Sequence, residues 1–412
     1  MVFVSNKSNQ IVYGNLLYGQ SGGPTSVINS SAYGLFTEAF KSNEIQEVYA
    51  MHFGLEGLLK EDLIKINKDD NNLSKLLNTP GAVFGSNRFK INYDKDIESL
   101  EKIYLVFKKY NIRYFFYNGG NDSMDTIYQI SKFLKSKEYE CYCIGIPKTI
   151  DNDLIETDHT PGYASSAKFI ANTITEIYYD DHSYLKGRVN IVEIMGRNTG
   201  WLTASSALAS INGAKPDLIY VPETSFDVDS FLAKVQKIYE EKHHCLVCVS
   251  EGIHDKDNRP LLEQNKIYDA FNHLQLGGVS RYLEELVHNR FGYSTRSFEL
   301  SLLQRANSMA PSEVDIDEAI GVGMRALQVA LMHITDKMVT IKRISNNPYK
   351  IDFDLVDLNL VKNQIKYLPN EYIDSENDTI NELFFNYALP LISGEEKNHF
   401  KNGLLDVYKL EK

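Results

Sequence analysis

Two short polar segments of the chain carry the side chains that phosphoryl transfer needs. One is Gly-Gly-Asn-Asp-Ser at 119–123, and the other is Pro-Lys-Thr-Ile-Asp-Asn-Asp at 147–153. In the second segment, Lys148, Asp151 and Asp153 bring one cation and two carboxylates into six residues. Such a set can neutralise a phosphate, accept a proton from a hydroxyl group and bind a metal ion. The alternative for the same residues is a capped turn with a surface ion pair.

The first segment has the composition of a turn from a strand into a helix. Residues 113–117 are aromatic and strand-prone, and Gly119 and Gly120 allow a sharp turn soon after them. A helix that begins there presents free N–H groups and the positive end of its dipole, which suits phosphate. Three roles stay open for Asp122: capping this helix, binding Mg²⁺, or filling space that a ligand phosphate would otherwise take.

Strand-like and helix-like stretches alternate along the chain, and both polar segments follow strands. The β-rich runs are 11–18, 114–117, 141–146, 189–194, 218–221 and 245–250, and helix-like stretches at 26–39, 125–136, 165–179 and 228–241 lie between them. The predicted fold class is α/β, with two doubly wound, Rossmann-like domains. Parallel sheets of this kind bind ligands outside the carboxyl ends of their strands, where both polar segments stand.

Composition and charge narrow the possible functions. The chain has 412 residues, of which 43% are hydrophobic, so it can bury the cores of two domains. Its net charge of −12 argues against a nucleic-acid partner. The first ten residues lack the apolar core of a signal peptide, and the apolar stretch 321–334 is interrupted by Arg325 and too short to span a membrane. With only four cysteines, we expect a cytoplasmic protein without membrane contact.

Cys245 and Cys248, preceded by His243 and His244, have the outline of half a zinc site. The run that contains them reads as a buried strand, in which alternation would put the two cysteines on opposite faces. The sequence has no second pair with suitable spacing, so we predict no zinc site here.

The motifs of the chain resemble those of the 6-phosphofructokinase family, and in particular its pyrophosphate-dependent branch. The resemblance covers most of the 412 residues. Besides the two polar segments, seven motifs follow the family's order: Gly-Gln-Ser-Gly-Gly-Pro at 19–24, Pro-Gly-Ala-Val-Phe-Gly-Ser-Asn-Arg at 80–88, Thr-Asp-His-Thr-Pro-Gly at 157–162, Glu-Ile-Met-Gly-Arg at 193–197, Ser-Glu-Gly at 250–252, Leu-Gln-Arg at 303–305 and Pro-Leu-Ile-Ser-Gly-Glu at 390–395.

The resemblance implies an activity and a domain division. The activity is reversible, Mg²⁺-dependent phosphoryl transfer from pyrophosphate to the 1-hydroxyl of fructose 6-phosphate, which gives fructose 1,6-bisphosphate and phosphate in glycolysis or gluconeogenesis. Residues 1–162 with 304–345 would form the phosphate-donor domain, and residues 163–303 with 346–412 the sugar-phosphate domain. The active site would lie in the cleft between them.

Three catalytic residues follow from the resemblance, namely Asp151, Lys148 and Asp122. Asp151 matches the family's general base, a role that suits a carboxylate beside an attacking hydroxyl. Lys148 and Asp122 match the two markers of pyrophosphate users, since ATP-using bacterial relatives have glycine at both positions. Charges about 4 Å apart repel by roughly 4 kcal/mol at an effective dielectric of about 20, so Asp122 should weaken ATP binding through the α-phosphate.

The remaining site residues divide between the two substrates. Gly23, Ser86, Arg88, Asn121 and Ser123 match the pyrophosphate site, although Arg88 has the alternative of being a surface cation. The metal would rest on Asp122 and on Asn121, which stands where many relatives have a magnesium-binding aspartate. Residues that match the sugar site are Thr149, Ile150, Asp153, Arg188, Met195, Gly196, Arg197, Glu251, Arg296, Leu302 and Arg305.

Five positions affect assembly, specificity and regulation. Arg188 and Arg296 match arginines that relatives contribute from the neighbouring subunit, which implies a homodimer or homotetramer with shared active sites. Leu302 replaces the polar His or Tyr of relatives. Tyr33 and Thr37 stand where allosteric bacterial relatives have effector-binding arginines, so we predict a non-allosteric enzyme. The alternatives are an ATP-dependent 6-phosphofructokinase, a pyrophosphate-dependent kinase of sedoheptulose 7-phosphate, and a catalytically silent regulatory subunit.

Overall fold

The computed structural model describes residues 11–262, 277–394, 400–401 and 404–410. Strands β1 to β15 are, in chain order, Gly14–Gln20, Ile45–Met51, Leu63–Ile66, Ile112–Gly119, Tyr142–Pro147, Val189–Ile194, Leu218–Tyr220, Cys245–Ser250, Thr295–Glu299, Lys337–Asn346, Tyr349–Asp357, Ile373–Asp374, Thr379–Ile380, Phe400–Lys401 and Leu404–Leu405. Helices α1 to α12 are Ile28–Ala39, Gly54–Leu58, Ile97–Lys109, Asn121–Ser136, Tyr163–Asp181, Trp201–Ser205, Val228–Lys242, Val279–Phe291, Leu303–Ala306, Glu313–Leu331, Leu358–Val361 and Glu382–Ala388. Short 3₁₀ helices lie at Leu73–Asn78, Ser206–Asn212, Asn370–Tyr372 and Leu389–Ile392.

Two sheets organise the described residues into two α/β domains. The larger sheet has the order β11-β10-β5-β4-β1-β2-β3, and its five inner strands run parallel between antiparallel edges. The smaller sheet has the order β7-β8-β6-β9 and is parallel throughout. The predicted α/β fold with two doubly wound domains is confirmed.

Apolar packing covers both faces of each sheet, which explains the continuous hydrophobic runs of the central strands. In β4, Phe116 packs with Leu16 and Tyr18 on one face of the larger sheet, and Phe115 packs with Leu17 on the other. The smaller sheet shows the same alternation in β8, where Cys245 and Cys248 belong to clusters on opposite faces. The predicted orientation of these two cysteines is confirmed.

The predicted domain boundary at residue 346 differs from the sheet topology. Strand β11 pairs antiparallel with β10 along its length, so residues 349–357 belong to the larger sheet and not to the sugar-phosphate domain. The chain end also returns to this side, because the Tyr408 amide donates to Thr79 Oγ1 at 2.8 Å. The reason is local pairing: only the two residues 347 and 348 separate β10 from β11, so the second strand folds back on the first as a hairpin.

Strand order places one switch point in each sheet. Strand β1 lies between β2 and β4, and β6 lies between β8 and β9. At such points the connections leave in opposite directions and open a crevice at the carboxyl ends of the strands. No helix in the described ranges is long and apolar enough to cross a membrane.

Candidate active site

A cavity of about 410 Å³ lies where the carboxyl ends of the two sheets face each other. Loops after β1, β4 and β5 form one wall, while the loops after β6 and β8 and the short helix α9 form the other. Fourteen of the predicted site residues line it: Gly23, Arg88, Asn121, Asp122, Ser123, Lys148, Thr149, Ile150, Asp151, Asp153, Met195, Arg197, Glu251 and Arg305. The two polar segments singled out in the sequence therefore meet in one cavity.

Lys148 is the central cation of the first wall. Its side chain is only 2% exposed, and its Nζ donates to the carbonyl oxygens of Ser21, at 2.8 Å, and of Gly23, at 2.5 Å. Burial, together with the positive charge of the nearby Arg305, lowers the pKa of Lys148 to about 7, against the opposing effect of Asp151. An amine with two carbonyl acceptors has a third N–H only when it is protonated, so a ligand anion would favour the charged form.

Asp151 stands beside Lys148 at the start of the loop that follows β5. Its backbone is held from both domains: the Asp151 amide donates to Thr149 Oγ1 at 3.1 Å, and Thr199 Oγ1 donates to the Asp151 carbonyl at 3.1 Å. Burial raises the pKa of the Asp151 carboxyl group, and the positive charge of Arg197 is the largest opposing effect. A carboxylate with a raised pKa and a cationic neighbour suits a general base.

Asp153 and Glu251 add two further acidic groups to the same cavity. Burial and the negative charge of Asp151 together raise the pKa of Asp153 to about 7. Burial likewise raises the pKa of Glu251 to about 7, although the Gly196 amide donates to its Oε1 at 3.3 Å. A carboxyl group that titrates near neutrality can either donate or accept a hydrogen bond to a sugar hydroxyl.

The segment after β4 opens helix α4, as the sequence predicts. Gly120 is the N-cap residue, and no side chain caps this end of the helix. The capping role considered for Asp122 is therefore not realised; its Oδ1 lies 3.0 Å from Lys90 Nζ instead. The neighbouring Asn121 turns to another partner, because its Oδ1 accepts from the Asn363 amide at 2.7 Å.

The opposite wall is built on strand ends β6 and β8. Gly196 has a φ of +145°, and a Cβ there would lie 2.5 Å from the Thr199 carbonyl oxygen, so the tight turn requires glycine. Met195 is fixed by its amide, which donates to the buried Gln304 Oε1 at 3.2 Å. These contacts present Met195, Arg197 and Glu251 to the cavity from adjacent strands.

Arg305 in α9 bridges the two walls. A Cβ built at Gly23 would approach its guanidinium nitrogen to 3.0 Å, so the glycine loop and this arginine lie side by side. Burial lowers the pKa of Arg305, and the proximity of Arg88 adds to the effect. Two guanidinium groups and Lys148 in one partly enclosed space make the cavity strongly attractive to a multivalent anion.

Five predicted site residues do not line the cavity. Ser86 supports its wall, because its hydroxyl donates to the Gly22 carbonyl at 2.7 Å. Gly196 contributes through a hydrogen bond, which its backbone amide donates to the Glu251 carboxylate. Leu302 is 56% exposed and does not contribute to the lining of the cavity. The remaining two, Arg188 and Arg296, stand at the amino ends of the paired strands β6 and β9, on the far edge of the sheet from the cavity.

Several lining residues were not predicted. Thr199 had a weak signal, since Asn198-Thr199 follows the Gly196-Arg197 motif directly. Asn363 and Ile365 had none, because they lie in a polar stretch without any recognisable motif. They reach the cavity only because the chain crosses between the domains there.

Comparisons with known proteins agree on one family. A family model described as phosphofructokinase matches residues 15–330. The pyrophosphate–fructose 6-phosphate 1-phosphotransferase of Halomonas elongata is 39% identical over 97% of this chain and 96% of its own length. The enzyme of the same name from Xanthomonas campestris pv. campestris is 38% identical over 93% of this chain and 92% of its own length. A crystal structure of the pyrophosphate-dependent phosphofructokinase from Nitrosospira multiformis superposes with a TM-score of 0.87, at 35% identity and covering 97% of both chains.

Proposed function

The chain belongs to the phosphofructokinase family, and we propose that it is an enzyme that transfers a phosphoryl group reversibly between pyrophosphate and the 1-hydroxyl of fructose 6-phosphate. The observation that carries the proposal is the buried Lys148, held by two carbonyls beside Asp151 in a cavity between the two domains. Full-length relatives that use pyrophosphate support the choice of donor.

The donor end binds pyrophosphate through cations. Lys148 already uses two N–H groups on Ser21 and Gly23, so its third N–H is available to a phosphate oxygen when the amine is protonated. The Arg88 and Arg305 guanidinium groups line the same space. Fixed donors of this kind stabilise the charge that develops on the transferred phosphoryl and on the leaving phosphate.

The sugar end supplies the nucleophile. The Asp151 carboxylate accepts the proton of the 1-hydroxyl while that oxygen forms a bond to phosphorus and the bridging P–O bond of pyrophosphate breaks. Phosphate then leaves, and the proton stays on Asp151 until solvent removes it. In the reverse direction, the protonated Asp151 returns this proton to the sugar oxygen.

The chemistry of the cavity fits Mg²⁺ as the cofactor. Asp122 supplies a carboxylate oxygen, which Mg²⁺ prefers together with substrate phosphates. Asp122 is our choice as ligand, and Asn121 becomes a weaker one because its Oδ1 already accepts from Asn363. When bound, the ion would neutralise phosphate charge.

Donor selection rests on Asp122 and Lys148. Lys90 compensates part of the Asp122 charge, so the repulsion of an ATP α-phosphate is weaker than for a bare carboxylate. The volume of the Asp122 and Lys148 side chains therefore contributes to the exclusion of ATP, in addition to the charge of Asp122. An ATP-dependent 6-phosphofructokinase remains the nearest alternative, and use of sedoheptulose 7-phosphate would need only a different fit at the far end of the sugar.

The sugar phosphate site requires a second subunit in this proposal. Arg188 and Arg296 lie too far along the sheet to serve their own cavity, which supports their contribution to a neighbouring site in a homodimer or homotetramer. A silent regulatory subunit is the less favoured alternative, because the base, the cation and the acidic groups are all present in one cavity.

A rate assay tests the proposal directly. The protein is supplied with fructose 6-phosphate, Mg²⁺ and either pyrophosphate or ATP, with Asp151→Asn as the matched inactive control. Turnover with pyrophosphate that is lost in Asp151→Asn supports the proposal. Equal or faster turnover with ATP, or full activity of the variant, contradicts it.

A further inference from the structure

One short segment contacts the donor wall of the cavity, the loop that follows β5 and the second domain. Residues 363–368, which we call the strap, carry the chain from α11 of the first domain to the second domain. At one end, the Asn363 amide donates to Asn121 Oδ1 at 2.7 Å, beside the donor half of the cavity. At the other end, the Leu368 amide donates to Glu223 Oε1 at 2.9 Å. The strap therefore spans from the donor wall to the sugar domain.

Lys366, in the middle of the strap, holds the loop that carries Asp151. Its amide donates to the Asp153 carbonyl at 2.9 Å. Its Nζ has three acceptors: the carbonyls of Thr157, at 3.1 Å, and Asp158, at 2.9 Å, and Oδ1 of the fully buried Asn152 at 3.2 Å. One side chain thus fixes both ends of residues 152–158.

The other side of Lys366 faces the second domain. Its Nζ lies 5.2 Å from the centre of the Trp201 ring, and the Trp201 indole N–H donates to the Lys366 carbonyl at 2.9 Å. Trp201 is 3% exposed and belongs to the core of the second domain. A cation over an indole face is attracted to it, so the contact joins the loop to a rigid support.

We propose that Lys366 is a positioning residue for phosphoryl transfer, which holds the loop 152–158 against Trp201 and so fixes the Asp151 carboxylate relative to the sugar hydroxyl. The inference rests on the proposed function, since it concerns the same site. Lys366 does not line the cavity and acts through the loop. A displacement of a reacting group by about 1 Å can cost roughly 100-fold in rate, so such a support has a large effect on turnover.

Protonation of Lys366 decides how firmly the loop is held. Three acceptors need three donors, which the ammonium group has and the neutral amine lacks. Burial is the main reason that the pKa of Lys366 falls to about 7; the carboxylates of Asp158 and Asp153 oppose this shift, and the positive charge of Arg343 favours it. The phenol of Tyr387 also faces this region, through its bond to the Asp158 carbonyl. As the pH rises above neutrality, the loop loses one of its three donors.

The first experiment compares Lys366→Met with Lys234→Met, a variant that removes a lysine paired with Asp378 at 2.7 Å away from the site. We expect Lys366→Met to lower kcat by about 30-fold or more while the KM values for pyrophosphate and fructose 6-phosphate change less than about threefold. Lys234→Met should keep the kcat of the wild type. A Lys366→Met variant with wild-type kcat, or with raised KM values alone, overturns the inference.

The second measurement does not depend on turnover. Trp201 is the one tryptophan of the sequence, so its fluorescence reports directly on the contact with Lys366. In the wild type and in Lys234→Met, the emission should change with a midpoint near pH 7, and this transition should be absent in Lys366→Met. Lys366 does not line the cavity, so bound substrates should leave its pKa unchanged. At saturating substrates, kcat should therefore decline over the same pH range. A transition that persists in Lys366→Met overturns the inference, whereas a wild type without pyrophosphate turnover refutes the proposed function itself.

Discussion

Lys90 and Asp122 form an ion pair at the donor side of the cavity, with 3.0 Å between Lys90 Nζ and Asp122 Oδ1. Asp122 lines the cavity and Lys90 does not, so the pair ties a site carboxylate to a cation outside the site. Both side chains keep some exposure, at 44% for Lys90 and 23% for Asp122, so the pair itself is weak. The pair is important because Lys90 reduces the negative charge that a phosphate donor encounters at Asp122.

Two substitutions at Asp122 separate charge from volume as the cause of donor selection. Asp122→Asn removes the charge and keeps the size, whereas Asp122→Gly removes both. If charge dominates, both variants should use ATP at least tenfold better than the wild type, because about 1.4 kcal/mol of repulsion corresponds to a factor of ten. The kcat/KM for ATP checks this, with pyrophosphate measured in parallel. Improvement in Asp122→Gly alone would identify volume as the cause.

Asp151→Asn should slow turnover strongly without abolishing binding. Asparagine has nearly the same shape as aspartate but cannot accept the hydroxyl proton, and a general base contributes typically about 10²- to 10⁴-fold. We expect kcat to fall by that factor and the dissociation constant for fructose 6-phosphate, measured by calorimetry, to stay within a few-fold of the wild type. The thermal midpoint serves as the control for folding. Unchanged kcat would remove Asp151 from the role of base.

The pH dependence of kcat/KM for pyrophosphate should show the titration of two lysine side chains, Lys148 and Lys366. Lys148 must be protonated to offer its third N–H, and burial lowers its pKa to about 7 in the free enzyme. Lys366 has a pKa of about 7 for the same reason. The logarithm of kcat/KM should therefore fall with a slope approaching about −2 above neutrality, and with about −1 in Lys148→Met. Titration of pyrophosphate itself is common to both proteins, so the difference between them isolates Lys148. Identical profiles would contradict this assignment.

Much of this site was predictable because its residues follow strands in short, recognisable motifs. Residues 119–123 and 147–153 lie at the carboxyl ends of β4 and β5, as expected from the strand-like runs before them. Element ends were less accurate: the first strand begins at Gly14, not at Ile11, and α1 begins at Ile28, not at Ser26. Hydrophobic periodicity marks the middle of an element, whereas caps and turns decide its ends.

What the sequence did not predict depends on long-range folding. The β10–β11 hairpin is an exception, because its pairing is local; the predicted boundary cut through it because neither strand was among the β-rich runs identified in the sequence. Lys366 was missed because a single lysine in a polar stretch has no signal until the strap brings it beneath Trp201. The placement of Ser86 behind the glycine loop likewise follows from a contact across 64 residues.

A buried charged group beneath the catalytic loop should make its own contribution to the response of stability to alkaline pH. His159 contacts Glu318 Oε2 at 2.5 Å and Asp158 Oδ1 at 2.8 Å, and its side chain is fully buried. Burial opposes the charged form, but the Glu318 and Asp158 carboxylates outweigh it and raise the pKa of His159 to about 9. Because the folded pKa exceeds the unfolded value, this stabilisation is fully present below about pH 6.5 and is lost as the pH rises through about 9.

Urea denaturation of His159→Asn measures this contribution. Removing one partner of a buried ion pair typically costs about 3 to 5 kcal/mol, so the variant should be much less stable than the wild type at about pH 6 and closer to it at about pH 10. His52→Asn, which removes a partly exposed histidine paired with Asp62 at 2.7 Å, is the matched control and should have little effect. A stability difference that does not change with pH would show that His159 is neutral in the folded protein.

Complementation between two inactive variants tests whether active sites are shared. Arg296 stands on β9 opposite Asn190 of β6, at the amino ends of the strands, while Asp151 lies in the cavity at the other edge. If Arg296 serves a neighbouring subunit, Asp151→Asn and Arg296→Ala should each be nearly inactive. In mixed dimers, one of the two sites then combines an intact Asp151 with an intact Arg296, so random mixing after dissociation should restore about a quarter of the wild-type activity. Sites complete within one chain would give no recovery, because neither variant would contain an intact site.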